Sequence, residues 1–440
     1  MDQIKVNNNR VLLVGINFSP ELTGIGKYSG EMIDWLSDNG YDCTAVTSFP
    51  YYPNWKIQKP YKAKFYKKEV LKNGKVQLYR CPIYVPEHPT GFSRILHDAS
   101  FFLSAFFVVF LLLFKKSNDY IFCIAPPFHL GFLGVFYKFF KGGKLIYHIQ
   151  DLQIEAARDL GIIKSNALLK LLLGMERFIL KHSSHISSIS SGMIAKVAAK
   201  VEKEIIFFPN WADTAAFVPV TDKTLLRKDW GFKPSDKIVL YSGSVGEKQG
   251  LESIVHIARE LEAETDLKFL VCGDGPYKEN LIKMAERFGL KNMLFLPLQP
   301  LAVFNDFLNM TDVHLVLQKK NACDLMMPSK LTTIWSSGGL ALVTAEPGST
   351  LHSLILGYNI GVVIGCENQD LLSKTILECC RDDHQLKRHN ARKYAEQFLS
   401  KRSILKKLMC GLDNKMLTAA HVEAEARPSN VLRESVPVNG

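Results

Sequence analysis

A chain of 440 residues that is 47% hydrophobic and 22% charged has the composition of a folded protein, which excludes disordered and fibrous classes and leaves room for two or three buried cores. Its 54 Lys and Arg against 43 Asp and Glu leave a formal charge of +11, which favours polyanionic surroundings (nucleic acid, anionic lipid or phosphorylated substrates) without choosing among them. Nine cysteines, odd in number, scattered and without a C-x-x-C pair, read as reduced thiols of a cytoplasmic protein and argue against a disulfide framework or a zinc site.

The N-terminal MDQIKVNNNR is polar and runs at once into a strand, VLLVGIN, so no signal peptide is expected. Behind that strand lies FSPELTGIGKYSG, residues 18–30, opening onto a helical stretch from Tyr28 to Asn39; a glycine turn before a helix attracts anions through its free N–H groups. Two familiar phosphate motifs fail there. Gly24, Gly26 and Gly30 are spaced G-x-G-x-x-x-G, not G-x-G-x-x-G, and the second strand, YDCTAVTS, runs out into Phe49-Pro50 with no acid for a ribose. A P-loop needs Ser or Thr after its Lys, and Lys27 is followed by Tyr28. What remains is a glycine loop lining a cleft, or a plain turn.

Residues 56–75, KIQKPYKAKFYKKEVLKNGK, carry eight lysines against Glu69 alone, interleaved with Tyr61, Phe65 and Tyr66: a face for anionic lipid, or a solvated loop. Ala99 to Phe114 is sixteen residues without a charge, ending at Lys115-Lys116. A spanning helix needs about 20 such residues, so the segment reads as a core helix on a sheet or as an interfacial helix. The strands DYIFCIAP, KLIYHIQD, HISSIS and EIIFFPN then alternate with helical patterns such as ALLKLLLGMERFILKHS. That alternation argues for a parallel sheet covered on both faces.

The pattern breaks once, over polar, proline-bearing sequence from about Asn210 to Asp236, and restarts with IVLYSGS, LKFLVCGDG, MLFLPL, VHLVLQ, LALVTA and GVVIG. We therefore expect α/β architecture in two similar doubly wound domains, residues 1–210 and 237–411, joined by a linker at 211–236, with a ligand cleft between them and an aperiodic tail at 412–440. The second domain repeats the glycine device. Ser242-Gly243-Ser244-Val245-Gly246 follows a strand and Lys248-Gln249-Gly250 leads into a helix, so a diphosphate could rest on those N–H groups with Lys248 as counter-charge. Further on, Met327-Pro328-Ser329-Lys330 opens the helix LTTIWSSGG; a cation in a first turn opposes the macrodipole unless an anion is bound.

Taken with HIQDLQIE (148–155), PNWAD (209–213) and GDGP (273–276), these motifs resemble, in order and over about residues 10–405, a family-4 retaining glycosyltransferase, most similar to the colanic-acid and other exopolysaccharide biosynthesis enzymes of bacteria. The resemblance implies the GT-B fold, two Rossmann-like parallel-sheet domains facing a central cleft, with a nucleotide-sugar donor on the second domain, a lipid-linked acceptor on the first, and no obligatory metal or other cofactor. It also implies contact with the anionic inner membrane from the cytoplasmic side, and no nucleic acid partner. As catalytic residues, His148 would touch the donor sugar and Lys248 and Lys330 would stabilise the charge developing on the leaving phosphate, while Gly243, Ser244 and Gly246 would hold the diphosphate, Gly273, Asp274 and Gly275 would form a turn beneath the nucleotide, and Ser329 and Thr333 would hold the donor. Gly24, Gly26 and Asp151 would form the acceptor lip, although Asp151 could simply cap a helix and Asp274-Gly275 could be a plain turn. The sequence departs from the family at two glutamates eight positions apart, which fall at Leu325 and Thr333, and at the arginine of the diphosphate loop, which falls at Ser244. Those departures keep two other readings open: a nucleotide-sugar-binding scaffold without turnover, and a GT-B sugar-nucleotide epimerase.

Overall fold

The computed structural model describes residues 9–21, 24–61, 65–87, 89–159, 161–320 and 328–414. The first half contains β1 Arg10–Val14, β2 Asp42–Ser48, β3 Lys67–Leu71, β4 Val76–Cys81, β5 Tyr120–Ala125, β6 Lys144–Ile149, β7 His185–Ser188 and β8 Ile205–Phe207. Around them pack α1 Gly24–Asp38, α2 Gly91–Leu112, α3 Gly131–Lys141, α4 Gln153–Asp159, α5 Asn166–His182 and α6 Ser191–Ala198. They form one eight-stranded sheet in the order β3-β4-β2-β1-β5-β6-β7-β8. After α7 Lys223–Asp229 comes a second sheet of β9 Lys237–Ser242, β10 Leu267–Cys272, β11 Met293–Leu296, β12 Val313–Val316, β13 Ala341–Thr344 and β14 Val362–Ile364. Its order is β11-β10-β9-β12-β13-β14. The helices of this half are α8 Glu252–Glu260, α9 Lys278–Phe288, α10 Leu301–Asn309, α11 Lys330–Ser336, α12 Thr350–Tyr358, α13 Gln369–Arg381, α14 Gln385–Phe398 and α15 Lys401–Asn414.

The inner strands are continuous apolar runs because helices cover both faces: Val11 to Val14 and Ile238 to Tyr241 are buried, and Val14 pairs with Val46 on one side as Cys123 does on the other. In each sheet the strand order reverses beside the first strand, at β1/β5 and at β9/β12, so the loops leaving those carboxyl ends border the ligand crevice.

The fold differs from the sequence reading in three places. The lysine-rich stretch is partly an edge hairpin: β3 runs antiparallel to β4, Lys67 opposite Arg80 and Leu71 opposite Val76, so the first sheet is not wholly parallel. KKEVL shows no alternation because it sits at an exposed edge, where charged side chains discourage pairing with other chains. Its lysines are also partly neutralised, Lys67 by Glu69 at 2.8 Å and Lys72 by Asp38 at 2.9 Å. The segment 99–114 belongs to the longer helix α2, started by a Thr90/Ser93 capping box. It buries Phe101, Ala105, Val108, Val109 and Leu112 and exposes Leu103, Phe107, Phe110 and Leu111, so it is both a core helix and an apolar surface.

The third difference concerns α15, which the sequence reading groups with the second domain. It crosses back, and Ile404, Leu405, Leu408, Met409 and Leu412 join Val11, Leu13, Ile33, Leu36 and Trp211 in one core beneath the first sheet. The apolar face of α1 and β1 would otherwise meet water. Leu412, where the tail was expected to begin, is buried; residues 415–440 lie outside the described ones.

The chain thus passes between domains twice, and the two passages are stitched together. Ala212 bridges Ser400, Lys401 Nζ lies 2.7 Å from Asp213 Oδ2, and Trp211 Nε1 donates to Glu31 Oε2 at 2.7 Å. Arg392 of α14 clamps the linker, donating to the carbonyls of Phe217 and Ser336 at 2.6 Å each and of Thr214 at 3.0 Å. Removing it leaves three carbonyls short of a donor. Arg392→Ala is expected to lower the unfolding free energy by about 3 kcal/mol, read as a fall in the urea midpoint, and Arg392→Lys, which lacks the fork, to recover less than half.

Candidate functional site

The strand β9 ends at Ser242, and the loop behind it turns at Gly243 with φ +143°. Val245 N donates to Asp274 O at 2.9 Å, and the Tyr241 hydroxyl donates to Ser244 O at 2.7 Å. Gly273 and Gly275, at φ +155° and +152°, lie directly against the Gly243 and Val245 carbonyls. Any side chain at either glycine would collide with backbone, so Gly243, Ser244 and Gly246 rest on Gly273, Asp274 and Gly275 as one glycine layer. Gly246 N already donates to Gln249 Oε1 at 3.1 Å. The backbone of Lys248 lies in the short turn Glu247–Gln249, while its side chain is outside the described structure, as are Asp324, Leu325 and Met327.

Lys330 is carried to this layer by α11. Its Nζ lies 3.6 Å from the centroid of the Tyr241 ring and 3.2 Å from where a Cβ on Gly243 would stand. It makes no ion pair among the described residues, and burial pushes its pKa down to about 7. A half-buried ammonium held against a ring face and a glycine turn is a cation awaiting an anion. Ser329 precedes it, its carbonyl accepting from Thr332 Oγ1 at 2.8 Å. Thr333, at the position of the family's second glutamate, is buried with its hydroxyl bonded to Lys330 O at 3.1 Å.

Sequence reasoning missed how the first domain reaches this layer. The Tyr28 hydroxyl, on α1, stands 3.5 Å from both Ser329 O and Thr332 Oγ1, and Tyr52, in the loop after β2, places its hydroxyl 2.8 Å from Ser244 Oγ. Glu21 fixes that loop: its Oε1 accepts from the amides of Tyr51 and Tyr52, both at 2.9 Å, and its Oε2 from Asn17 Nδ2 at 2.9 Å. The available signals were a lone acid between strand and glycines, and the aromatic-proline run FPYYPNW.

The predicted acceptor residues fare differently. Gly24 and Gly26 lie in the first turn of α1, which starts four residues earlier than expected, with Gly24 at the left-handed φ of +61° that favours glycine. Gly26 faces inward: a Cβ there would lie 2.6 Å from Glu21 Oε2, so its missing side chain makes room for that carboxylate. Asp151 stands half-buried two residues before α4. His148, at 2% exposure near the end of β6, has Ser187 Oγ 3.0 Å from its Nδ1 and the Phe208 ring at 4.8 Å; burial lowers its pKa to about 3, so it is neutral at pH 7.

The family described as glycosyl transferases group 1 matches residues 222–398. A protein of Escherichia coli (strain K12), assigned to colanic acid biosynthesis as the glycosyl transferase WcaI, is 38% identical over 410 residues, covering 91% of this chain and 98% of its own. Among solved structures, sucrose-phosphate synthase of Thermosynechococcus elongatus superposes with a TM-score of 0.71 at 13% identity, over 92% of this chain and 98% of that one. HepE of Anabaena, solved with UDP-glucose, gives 0.65 at 13% identity, over 92% and 99%. Both are similar to this chain in fold.

Glu21 has a measurable signature. Burial is the largest influence on it and raises its pKa to about 7, although the two amides, Asn17 and Arg80 oppose the rise. The folded protein therefore holds this proton more tightly than the unfolded chain, and the carboxyl contributes a loss of stability as pH rises from about 4.5 to about 7. Glu21→Gln is expected to flatten the fall of unfolding free energy across that window, measured by denaturant titration at a series of pH values.

Proposed function

The chain belongs to the group 1 glycosyltransferases, and on that premise we propose that it moves a hexosyl group from a nucleotide-diphosphate sugar to a lipid-linked oligosaccharide, with retention, in the assembly of a bacterial exopolysaccharide of the colanic-acid kind. The observation that carries this reading is Lys330: an ammonium without a carboxylate partner among the described residues, set against Gly243, which has no side chain to keep a diphosphate away. The UDP-glucose held by HepE and the polysaccharide assignment of the Escherichia coli relative support the same donor and product classes. GDP-fucose, GDP-mannose and UDP-sugars are the donors to test first.

In this mechanism the bond between the anomeric carbon and the phosphate oxygen breaks while the acceptor hydroxyl attacks from the same face. The acceptor proton passes to the departing phosphate, which leaves as the nucleoside diphosphate. Lys330 stabilises the charge that grows there. Ser329, Thr333 and the Lys248 turn border the donor, His148 serves as a neutral group on the sugar side, and Gly24 and Asp151 lie on the acceptor side.

A lipid-linked acceptor would bring the enzyme to the cytoplasmic face of the inner membrane, and exposed rings on the first domain support that reading. Phe114, Phe110, Phe106, Phe136, Phe140 and Phe139 touch ring to ring across α2 and α3, from 5.0 to 6.4 Å between centroids. Phe107, Leu111, Phe114, Phe139 and Phe140 of this patch are exposed, next to Lys115 and Lys116. An apolar patch of this extent beside cations suits an anionic bilayer.

Two expectations follow from Lys330 and from the patch. Lys330→Ala should cut turnover on the order of a hundredfold or more, and kcat/KM for the donor should fall as pH rises through about 7, where the free ammonium loses its proton. Turnover of that variant within a few-fold of wild type would sink the assignment. Sedimentation with phosphatidylglycerol vesicles should weaken with added salt, and Phe139→Ser with Phe140→Ser should reduce it at every salt concentration; equal partitioning to neutral and anionic vesicles would remove the electrostatic part.

A further inference from the structure

Ser244 belongs to the layer that the reading above gives to the donor phosphates, and its side chain is already engaged by the other domain. The Tyr52 hydroxyl is 2.8 Å from Ser244 Oγ, while Tyr241 holds the Ser244 carbonyl from below at 2.7 Å. Tyr52 reaches this point from a braced backbone. Glu21 accepts its amide and that of Tyr51, and Gln58 Nε2 donates to its carbonyl at 3.2 Å. Glu21, only 2% exposed, fits because Gly26 has no side chain, and Arg80, equally buried, ties the same region by donating from Nη2 to Ser19 O at 2.7 Å. A carboxylate held by three N–H groups is an expensive thing to bury for a surface turn; here it sets the direction of one phenol.

A serine hydroxyl has one proton and two acceptor sites. When the phenol donates to Oγ, the serine proton is left for another acceptor, and Oγ has no second hydrogen-bond partner among the described residues. We propose that Tyr52 is a positioning residue for the donor diphosphate: it donates to Ser244 Oγ, so that Ser244 donates into the cleft toward a phosphate oxygen, and Glu21 holds the tyrosine in place for this. The phosphate site is then finished by the first domain, and a neutral pair, Tyr52 and Ser244, adds directed hydrogen bonds to the undirected charge of Lys330. This rests on the donor-site reading above and adds a residue to it. The contribution falls on donor binding, so Tyr52→Phe raises KM for the donor while kcat changes little.

The test is a double-mutant cycle with a second, nucleotide-free measurement. UDP and GDP are titrated calorimetrically into the wild type, Tyr52→Phe, Ser244→Ala and the double variant. Each single change should weaken binding roughly tenfold, as for a hydrogen bond serving a charged ligand, and the double variant should lose little more than either. Losses that multiply, or a Tyr52→Phe protein that binds within twofold of wild type, overturn the proposal. In parallel, hydrogen exchange of residues 242–250 in the absence of nucleotide should be faster in Tyr52→Phe, and unchanged exchange also overturns it. Should the wild type bind neither nucleotide, the donor-site reading fails by itself, and the exchange comparison still decides whether Tyr52 pins the loop.

Discussion

The glycine layer of the second domain is the constraint from which the rest of the site follows. Gly273 and Gly275 press on the carbonyls of Gly243 and Val245 so closely that neither position can carry a Cβ. With no side chains between them, the two loops expose backbone at the carboxyl ends of β9 and β10, where an open parallel sheet presents its crevice. The same bareness lets Lys330 lie down on Tyr241 and over Gly243 instead of extending into solvent. A bulkier turn would displace the ammonium from the Tyr241 ring and from Gly243.

The two crossings between domains decide what faces this layer. The linker at Ala212 and the return at Ser400 bridge side by side. The first domain's loops can then approach the layer from above, and two of its tyrosines touch it, Tyr28 at the start of α11 and Tyr52 at Ser244. Their reach is set by buried groups behind them: Trp211 packs edge-on against Tyr28 at 5.1 Å, and Glu21 fixes the Tyr52 backbone.

Much of the frame was legible. Twelve of the strands coincide with apolar, β-branched runs such as VLLVG and KIVLYS, since burial on both faces leaves a signal that needs no partner to be read. The hairpin KKEVL was not, because an edge strand owes its state to a neighbour and not to its own pattern. The sequence marks the second-domain glycines as two separate turns, and their pairing with each other depends on distance in space. Glu21, Tyr28 and Tyr52 were invisible as site residues for the same reason: the partners of the two tyrosines lie 301 and 192 positions away, at Ser329 and Ser244, and no local spacing encodes that. Gly26 shows the reverse error, a glycine taken as open to a ligand whose space is in fact filled by a carboxylate.

The return of α15 to the first domain bears on the order in which the protein can be made. Half of the first domain's core, the side formed by β1, α1 and Trp211, is closed by Ile404, Leu405, Leu408, Met409 and Leu412. On the ribosome, that side stays uncovered until nearly the whole polypeptide has emerged, long after the strands of the first sheet have been synthesised. The amino-terminal domain cannot be finished before the carboxyl-terminal one, and a nascent chain stalled anywhere between them carries an open apolar face.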